Sequence, residues 1–155
     1  MNLHTMKMEW KMNHAIVYPT VDCAIFSDGN HNKIYLAKKP NQPLWRFPGG
    51  FVDPKDISYE DAAIREAKEE TNLDCFVIDY VGSTQVNDPR YKDKEDKIIT
   101  SMYAMEAIHN DSEPKPMDDI AELKLFNTID VSEDMIMPEH RNLFWELRNK
   151  YETFA

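Results

Sequence analysis

The stretch Leu44-Trp45-Arg46-Phe47-Pro48-Gly49-Gly50-Phe51-Val52-Asp53-Pro54 is followed, fifteen residues after its second glycine, by Arg65-Glu66-Ala67-Lys68-Glu69-Glu70-Thr71. Two adjacent glycines allow a sharp turn or a close backbone approach. The second segment has helical composition and three glutamates. Glu66, Glu69 and Glu70 are spaced i+3 and i+4, so they share one helical face. Like charges this close repel and weaken a bare helix. The Arg65–Glu69 pair recovers part of that loss. Read alone, such a face is a solvated one. Behind a Gly-Gly pair it reads instead as a platform for a hard divalent cation, which prefers clustered oxygen ligands and keeps waters for substrate phosphates.

Working outward, Ser58 with Asp61 three residues on resembles a helix cap, and Asn72 tolerates the left-handed conformation that ends helices. These bracket a helix from about Tyr59 to Thr71. Upstream, His14 to Phe26 is rich in Ile, Val, Tyr and Cys around Pro19, which predicts two short strands or one edge strand broken by the proline. Asp28-Gly29-Asn30 is a turn, and Lys33 to Lys39 alternates apolar and polar residues, so the pair predicts a hairpin. Residues 44–47 predict a short strand, and its alternation turns one of Trp45 and Phe47 inward. Downstream, Leu73–Val81, Ile98–Ile108 and Glu122–Phe126 predict strands, separated by polar loops at 86–96 and 110–119. Pro138 marks a helix start, with Leu143, Phe144, Leu147 and Tyr151 at helical spacing. Strands and helices mix without regular β-α-β alternation, which predicts an α/β class, an α/β/α sandwich on a mixed sheet.

The chain has 155 residues, 42% of them hydrophobic and 30% charged, with a net charge of -10. That is about one domain with an ordinary core. The expected division is a polar, methionine-dotted extension over 1–13 and a folded domain over 14–155. Lys92–Lys97, KDKEDK, is the nearest approach to a basic run, and its acids cancel its bases, so nucleic acid is not an expected partner. An acidic protein still binds an anionic substrate when metal ions stand between the two. Cys23 and Cys75 lie in apolar stretches without Cys-x-x-Cys spacing and read as buried hydrophobes of a reducing, cytoplasmic compartment. No apolar run reaches the length of a membrane span.

From Gly50 to Leu73 the sequence resembles the Nudix box: glycine, five residues, glutamate, seven residues, then Arg-Glu-aliphatic-x-Glu-Glu-x-Gly-aliphatic. Ala67 stands at the bulky aliphatic position and Asn72 at the glycine. Asp56 falls on the first glutamate, with one extra residue before the helix. The resemblance implies a Nudix fold and Mg²⁺- or Mn²⁺-dependent hydrolysis of a nucleoside diphosphate linked to another group. It implies Glu66, Glu69 and Glu70 as metal ligands, Gly50 as a carbonyl ligand, and Arg65 as the residue that orients the glutamates. A late-loop acid of the family, as base or extra ligand, maps best onto Asp118 or Asp119, of which Asp119 is taken as catalytic.

LWRFPGGFVDP and DPRYKDKEDKIITSMY are similar to Nudix domains that split ADP-ribose, including those fused to nicotinamide-nucleotide adenylyltransferases. There a pair of arginines precedes an Ile-Thr strand. Here Arg90 comes early, with Lys94 and Lys97 nearer the strand. Substrate contacts are expected from Arg46, Gly49, Gly50 and Arg90, with Trp45 and Tyr91 as aromatic faces for adenine. His140, after the helix-start proline, is expected to pack or cap. The expected reaction is ADP-ribose to AMP and ribose 5-phosphate. Alternatives are NADH, a diadenosine polyphosphate or a sugar nucleotide as substrate, or an ADP-ribose sensor that does not cut. Oligomeric state is left open, a homodimer included.

Overall fold

The computed structural model of the chain describes residues 2, 3, 5, 14–91 and 95–155, Tyr91 by its backbone alone. The expected N-terminal extension is thus largely outside the described residues, as are Lys94 and the Tyr91 side chain.

The elements are β1 (Val17–Phe26), β2 (Lys33–Lys38), β3 (Gly49–Phe51), α1 (Tyr59–Thr71), β4 (Cys75–Val86), β5 (Lys97–Ala107), β6 (Glu122–Asn127) and α2 (Arg141–Lys150). The sheet order is β4-β5-β1-β2-β6, with β3 also on β1. β1 runs parallel to β5 and the other pairs are antiparallel, so the sheet is mixed. This is the expected hairpin and the expected α/β class.

β1 is neither broken nor at an edge. It pairs with β5 from Val17 to Phe26, and its other side takes β3 at Thr20–Asp22 and β2 at Ile25–Phe26. Pro19 is tolerated because its carbonyl accepts the Val52 N–H at 3.1 Å just past the end of β3. The N–H that proline lacks would point to that same side, so no bond to β5 is lost.

The period of two in β1 builds both cores. Val21, Cys23 and Ile25 face α1 and meet its Ala62, Ala63 and Ala67. Ala24 and Phe26 face α2 and meet Leu143, Phe144 and Leu147. Each of those three α2 side chains is fully buried, a contribution of about 1.5–3 kcal/mol apiece. The alanines keep α1 close to the sheet, which explains a small residue at position 67. Cys23 and Cys75 are buried free thiols, as expected.

Residues 45 and 46 form isolated bridges to Ile136 and Ala37 rather than a regular strand. Trp45 and Phe47 both face inward, at 8% and 1% exposure, because positions i and i+2 of an extended chain share a face. The expectation that only one turns inward is corrected on that ground, and Arg46 between them takes the other face.

Candidate active site

Gly49 and Gly50 lie within β3, opposite Asp22 and Val21. Neither has a positive φ, so they are not needed for a turn, contrary to that half of the sequence reading. They are needed for close approach. A Cβ on Gly49 would sit 2.1 Å from the Val21 carbonyl oxygen and 2.6 Å from Asp22 Oδ1, and one on Gly50 would sit 2.6 Å from Glu66 Oε1. The bare strand lets α1 stand directly over it. The Gly49 N–H donates to Glu70 Oε2 at 3.1 Å.

α1 is fixed at both ends. Ser58 Oγ accepts the Asp61 N–H at 3.0 Å, and Asn72, left-handed at φ 64°, returns its N–H to Lys68 O. Arg65 organises the face between. Its Nε and Nη2 donate to the two oxygens of Asp56 at 2.9 and 2.8 Å. Its Nη2 also reaches Phe51 O at 3.0 Å. Its Nη1 donates to Glu66 Oε1 at 2.9 Å and Glu69 Oε2 at 3.1 Å. A fork of donors of this kind matches carboxylates in pairs. The Arg65 bonds and the Asp53 N–H hold the Asp56 carboxyl down at about 2. Asp56, at the position of the longer glutamate, thus anchors Arg65, and Ile57, 90% exposed, takes up the extra residue in a solvent-facing bend.

The three glutamates differ. Glu66 and Glu70 are buried at 7% and 4% exposure, whereas the Glu69 side chain is half exposed. Burial pushes the Glu66 carboxyl up, against the pull of Arg65. Burial pushes Glu70 further, to about 8, with Glu66 and Asp119 adding to the rise and the Gly49 N–H and Arg46 opposing it. The site thus holds more negative charge than its own cations balance.

The loop at 110–119 is tied to the end of α1. Lys115 and Met117 donate their N–H groups to Thr71 O and Glu70 O, both at 3.0 Å, and Asn72 Nδ2 donates to Glu113 O at 2.9 Å. This sets Asp118, left-handed at φ 55°, and Asp119, ion-paired to Lys39 at 3.1 Å, beside Glu70. Glu70, Asp118 and Asp119 each offer an oxygen within 4.8 Å of the others. Opposite oxygens around Mg²⁺ stand about 4 Å apart, so small side-chain movements would close the set on such an ion. All donors are oxygen, which suits Mg²⁺ or Mn²⁺.

These residues open on one cleft of about 400 Å³, lined among others by Arg46, Gly49, Gly50, Glu66, Glu69, Glu70, Arg90, Asp118 and Asp119. Arg65 acts from behind its carboxylates. Trp45 does not line the cleft. It packs edge-on against Phe126 at 4.9 Å, under Lys38 Nζ, so it offers no face to a base. His140 packs, as expected: its ring stacks on Phe47 at 5.8 Å. The cleft also holds Asp22, Lys39, Phe51, Asp88, Val86 and Ile98, which the sequence reading missed. Asp22 carried a signal as the one acid inside an apolar strand. Phe51 carried one as the aromatic next to the glycines; it is 41% exposed, with the Arg90 guanidinium 5.6 Å from its ring centre.

Residues 18–147 match the NUDIX domain model. The chain is 33% identical over 128 residues to an ADP-ribose pyrophosphatase of Methanocaldococcus jannaschii, covering 78% of this chain and 69% of that protein. It is 44% identical over 57 residues to a CTP pyrophosphohydrolase of Escherichia coli, covering 34% of this chain and 42% of that protein. The chain spans about half the length, or less, of two of its curated relatives. In fold it is similar to a bifunctional NMN adenylyltransferase/ADP ribose pyrophosphatase of Francisella tularensis, with a TM-score of 0.61 and 18% identity over 96% of this chain and 45% of that one. Among the described residues no helix is long and apolar enough to cross a membrane. On the match to that domain model, the chain belongs to the Nudix family.

Proposed function

We propose that this chain hydrolyses the pyrophosphate bond of a nucleoside diphosphate linked to a second group, ADP-ribose first among such substrates, giving AMP and ribose 5-phosphate. The observation that carries the reading is the pair of buried carboxylates, Glu66 and Glu70, set against bare glycine backbone in a cleft that also holds Arg46, Lys39 and Arg90.

Glu66, Glu69 and Glu70, with Asp118, Asp119 and the Gly50 carbonyl, are the groups that would hold Mg²⁺ or Mn²⁺. A bound divalent ion supplies neutralisation of the diphosphate and a lowered pKa for water. The remaining work belongs to side chains. Arg65 keeps Glu66 and Glu69 aimed, through the three carboxylates and one carbonyl it bonds. Arg46 and Lys39 bring positive charge toward the phosphates, and Phe51 with Arg90 offers a stacking face for the base. In the reaction, water oxygen bonds to phosphorus, the bridging P–O bond breaks, and the bridging oxygen leaves with the phosphate. The proton of the water passes to a carboxylate, for which Asp119 is the exposed candidate. Positioning and charge neutralisation account for most of the rate.

A second reading, hydrolysis of a nucleoside triphosphate, is favoured by the likeness to the CTP pyrophosphohydrolase. A panel of ADP-ribose, NADH, a diadenosine polyphosphate, a sugar nucleotide and CTP, compared by kcat/KM with Mg²⁺ and with EDTA, separates these. ADP-ribose leading, with AMP formed only when metal is present, is the expected result. CTP leading transfers the site to the second reading. Tight ADP-ribose binding without AMP would make the chain a sensor, and no turnover of any compound overturns the hydrolase reading.

A further inference from the structure

A buried polar pair in the wall of the cleft has no part in the chemistry above. Asp22, on the α2-facing side of β1, is 7% exposed, and His140, just ahead of α2, is 4% exposed. Thr100 Oγ1 donates to Asp22 Oδ2 at 2.6 Å. His140 Nε2 stands 3.7 Å from Asp22 Oδ1. On its other side, His140 Nδ1 accepts the Phe47 N–H at 3.1 Å. A backbone N–H can only donate, so Nδ1 carries the lone pair and the ring proton belongs on Nε2, toward Asp22. Burial lowers the pKa of His140, which keeps that neutral form through the neutral range.

Phe47–Gly49 is held at three backbone points. The Phe47 N–H goes to His140, Pro48 O accepts the Cys23 N–H at 2.7 Å, and the Gly49 N–H goes to Glu70. Pro48 has no N–H of its own. Among the described residues, the His140 bond is the one hydrogen bond to this stretch from the C-terminal part of the chain, and it lies two residues from the bond to Glu70.

We propose that His140 is a positioning residue for the carboxylate site: by accepting the Phe47 N–H, it fixes Phe47–Gly49 so that the Gly49 N–H meets Glu70. This rests on the hydrolase reading only for its effect on turnover. Its effect on the strand and on metal affinity stands apart from any substrate.

The test compares His140→Phe, which keeps a stacking ring but removes the acceptor, with His140→Asn, whose Oδ1 can replace Nδ1. Three readouts are taken on the full chain: Phe47 amide hydrogen exchange, Mn²⁺ affinity, and kcat and KM on ADP-ribose. The Phe variant is expected to lose protection at Phe47 and about 10–100-fold in Mn²⁺ affinity or kcat, with KM little changed, the range seen when outer-shell partners of metal ligands are removed. The Asn variant is expected to regain most of all three. Wild-type behaviour of the Phe variant overturns the proposal, and so does an Asn variant that folds but falls as far as the Phe variant. Should the Phe variant not fold, the Asn variant decides alone: protection at Phe47 with near-native Mn²⁺ affinity supports the role, and loss of either overturns it. Wild-type protein that binds Mn²⁺ but turns over no nucleotide refutes the hydrolase reading and leaves the positioning test intact.

Discussion

The two ends of the cleft are built differently. At the carboxylate end, Glu66 and Glu70 are buried, their helix is capped at both ends, and Arg65 alone makes five side-chain hydrogen bonds. At the other end, Asp88 and Arg90 sit in a short turn after β4 and bond to one another, with the Arg90 side chain 64% exposed and Phe51 open to solvent. A fixed end suits chemistry that is the same for every pyrophosphate, since preorganised charge needs no rearrangement. An open end suits selection among the groups attached to it. Changes at the first end should therefore act on kcat, and changes at the second on KM.

The largest expected effect is from Glu70→Gln. Removing the buried carboxylate should lower kcat at least about 100-fold, more than outer-shell changes do. The melting temperature should hold or rise, because a neutral amide avoids the burial penalty that pushes Glu70 to about 8. A Tm collapse alongside lost activity would make Glu70 structural and blur the contrast. Next comes Gly50→Ala. Its Cβ would lie 2.6 Å from Glu66 Oε1, so Glu66 must move, at a cost of about 1–3 kcal/mol in chemical denaturation and about 10-fold or more in kcat. Phe51→Ala sharpens the other end: lost base stacking, about 1–3 kcal/mol, should raise KM roughly tenfold and leave kcat nearly unchanged. A fall in kcat instead would erase the distinction between the two ends.

The smallest effect concerns acid stability. Asp56 has its carboxyl lowered from 3.8 to about 2 by Arg65. A depressed carboxylate contributes stability that is full above 3.8 and fades as pH falls toward 2. Acid unfolding of Asp56→Asn, followed by circular dichroism, should lack that part of the pH dependence.

Legibility in the sequence follows the same division. α1 was readable to its ends because capping is local: Ser58, Asp61 and Asn72 lie within the segment they terminate. Its carboxylate face was readable because glutamates at i, i+3 and i+4 fall on one side of a helix. What the glycines do was half readable. Freedom to turn and room for close approach look alike in one dimension, and only the nearness of Asp22 and Glu66 decides between them. Pro19 was misplaced because the side on which a strand ends is set by its partners, here by β3 stopping at Phe51. Trp45 was misassigned because its neighbour Phe126 comes from β6, far along the chain. Asp22 and His140 meet across 118 positions, and no local pattern signals such a pair.

The most direct test of the central claim, that the buried carboxylates form a metal platform, is a calorimetric Mn²⁺ titration of the full chain between pH 6 and 9, in two buffers of different ionisation heat so that released protons can be counted. Glu70 holds its proton up to about 8, and a ligand must be deprotonated to bind. The account predicts affinity rising by up to about tenfold per pH unit below 8, with about one proton released per binding event, then levelling off. Without metal, the same raised carboxyl should make the fold lose stability as pH climbs from 4.5 to about 8. Affinity independent of pH, with no proton released and no change in Glu70→Gln, would contradict it.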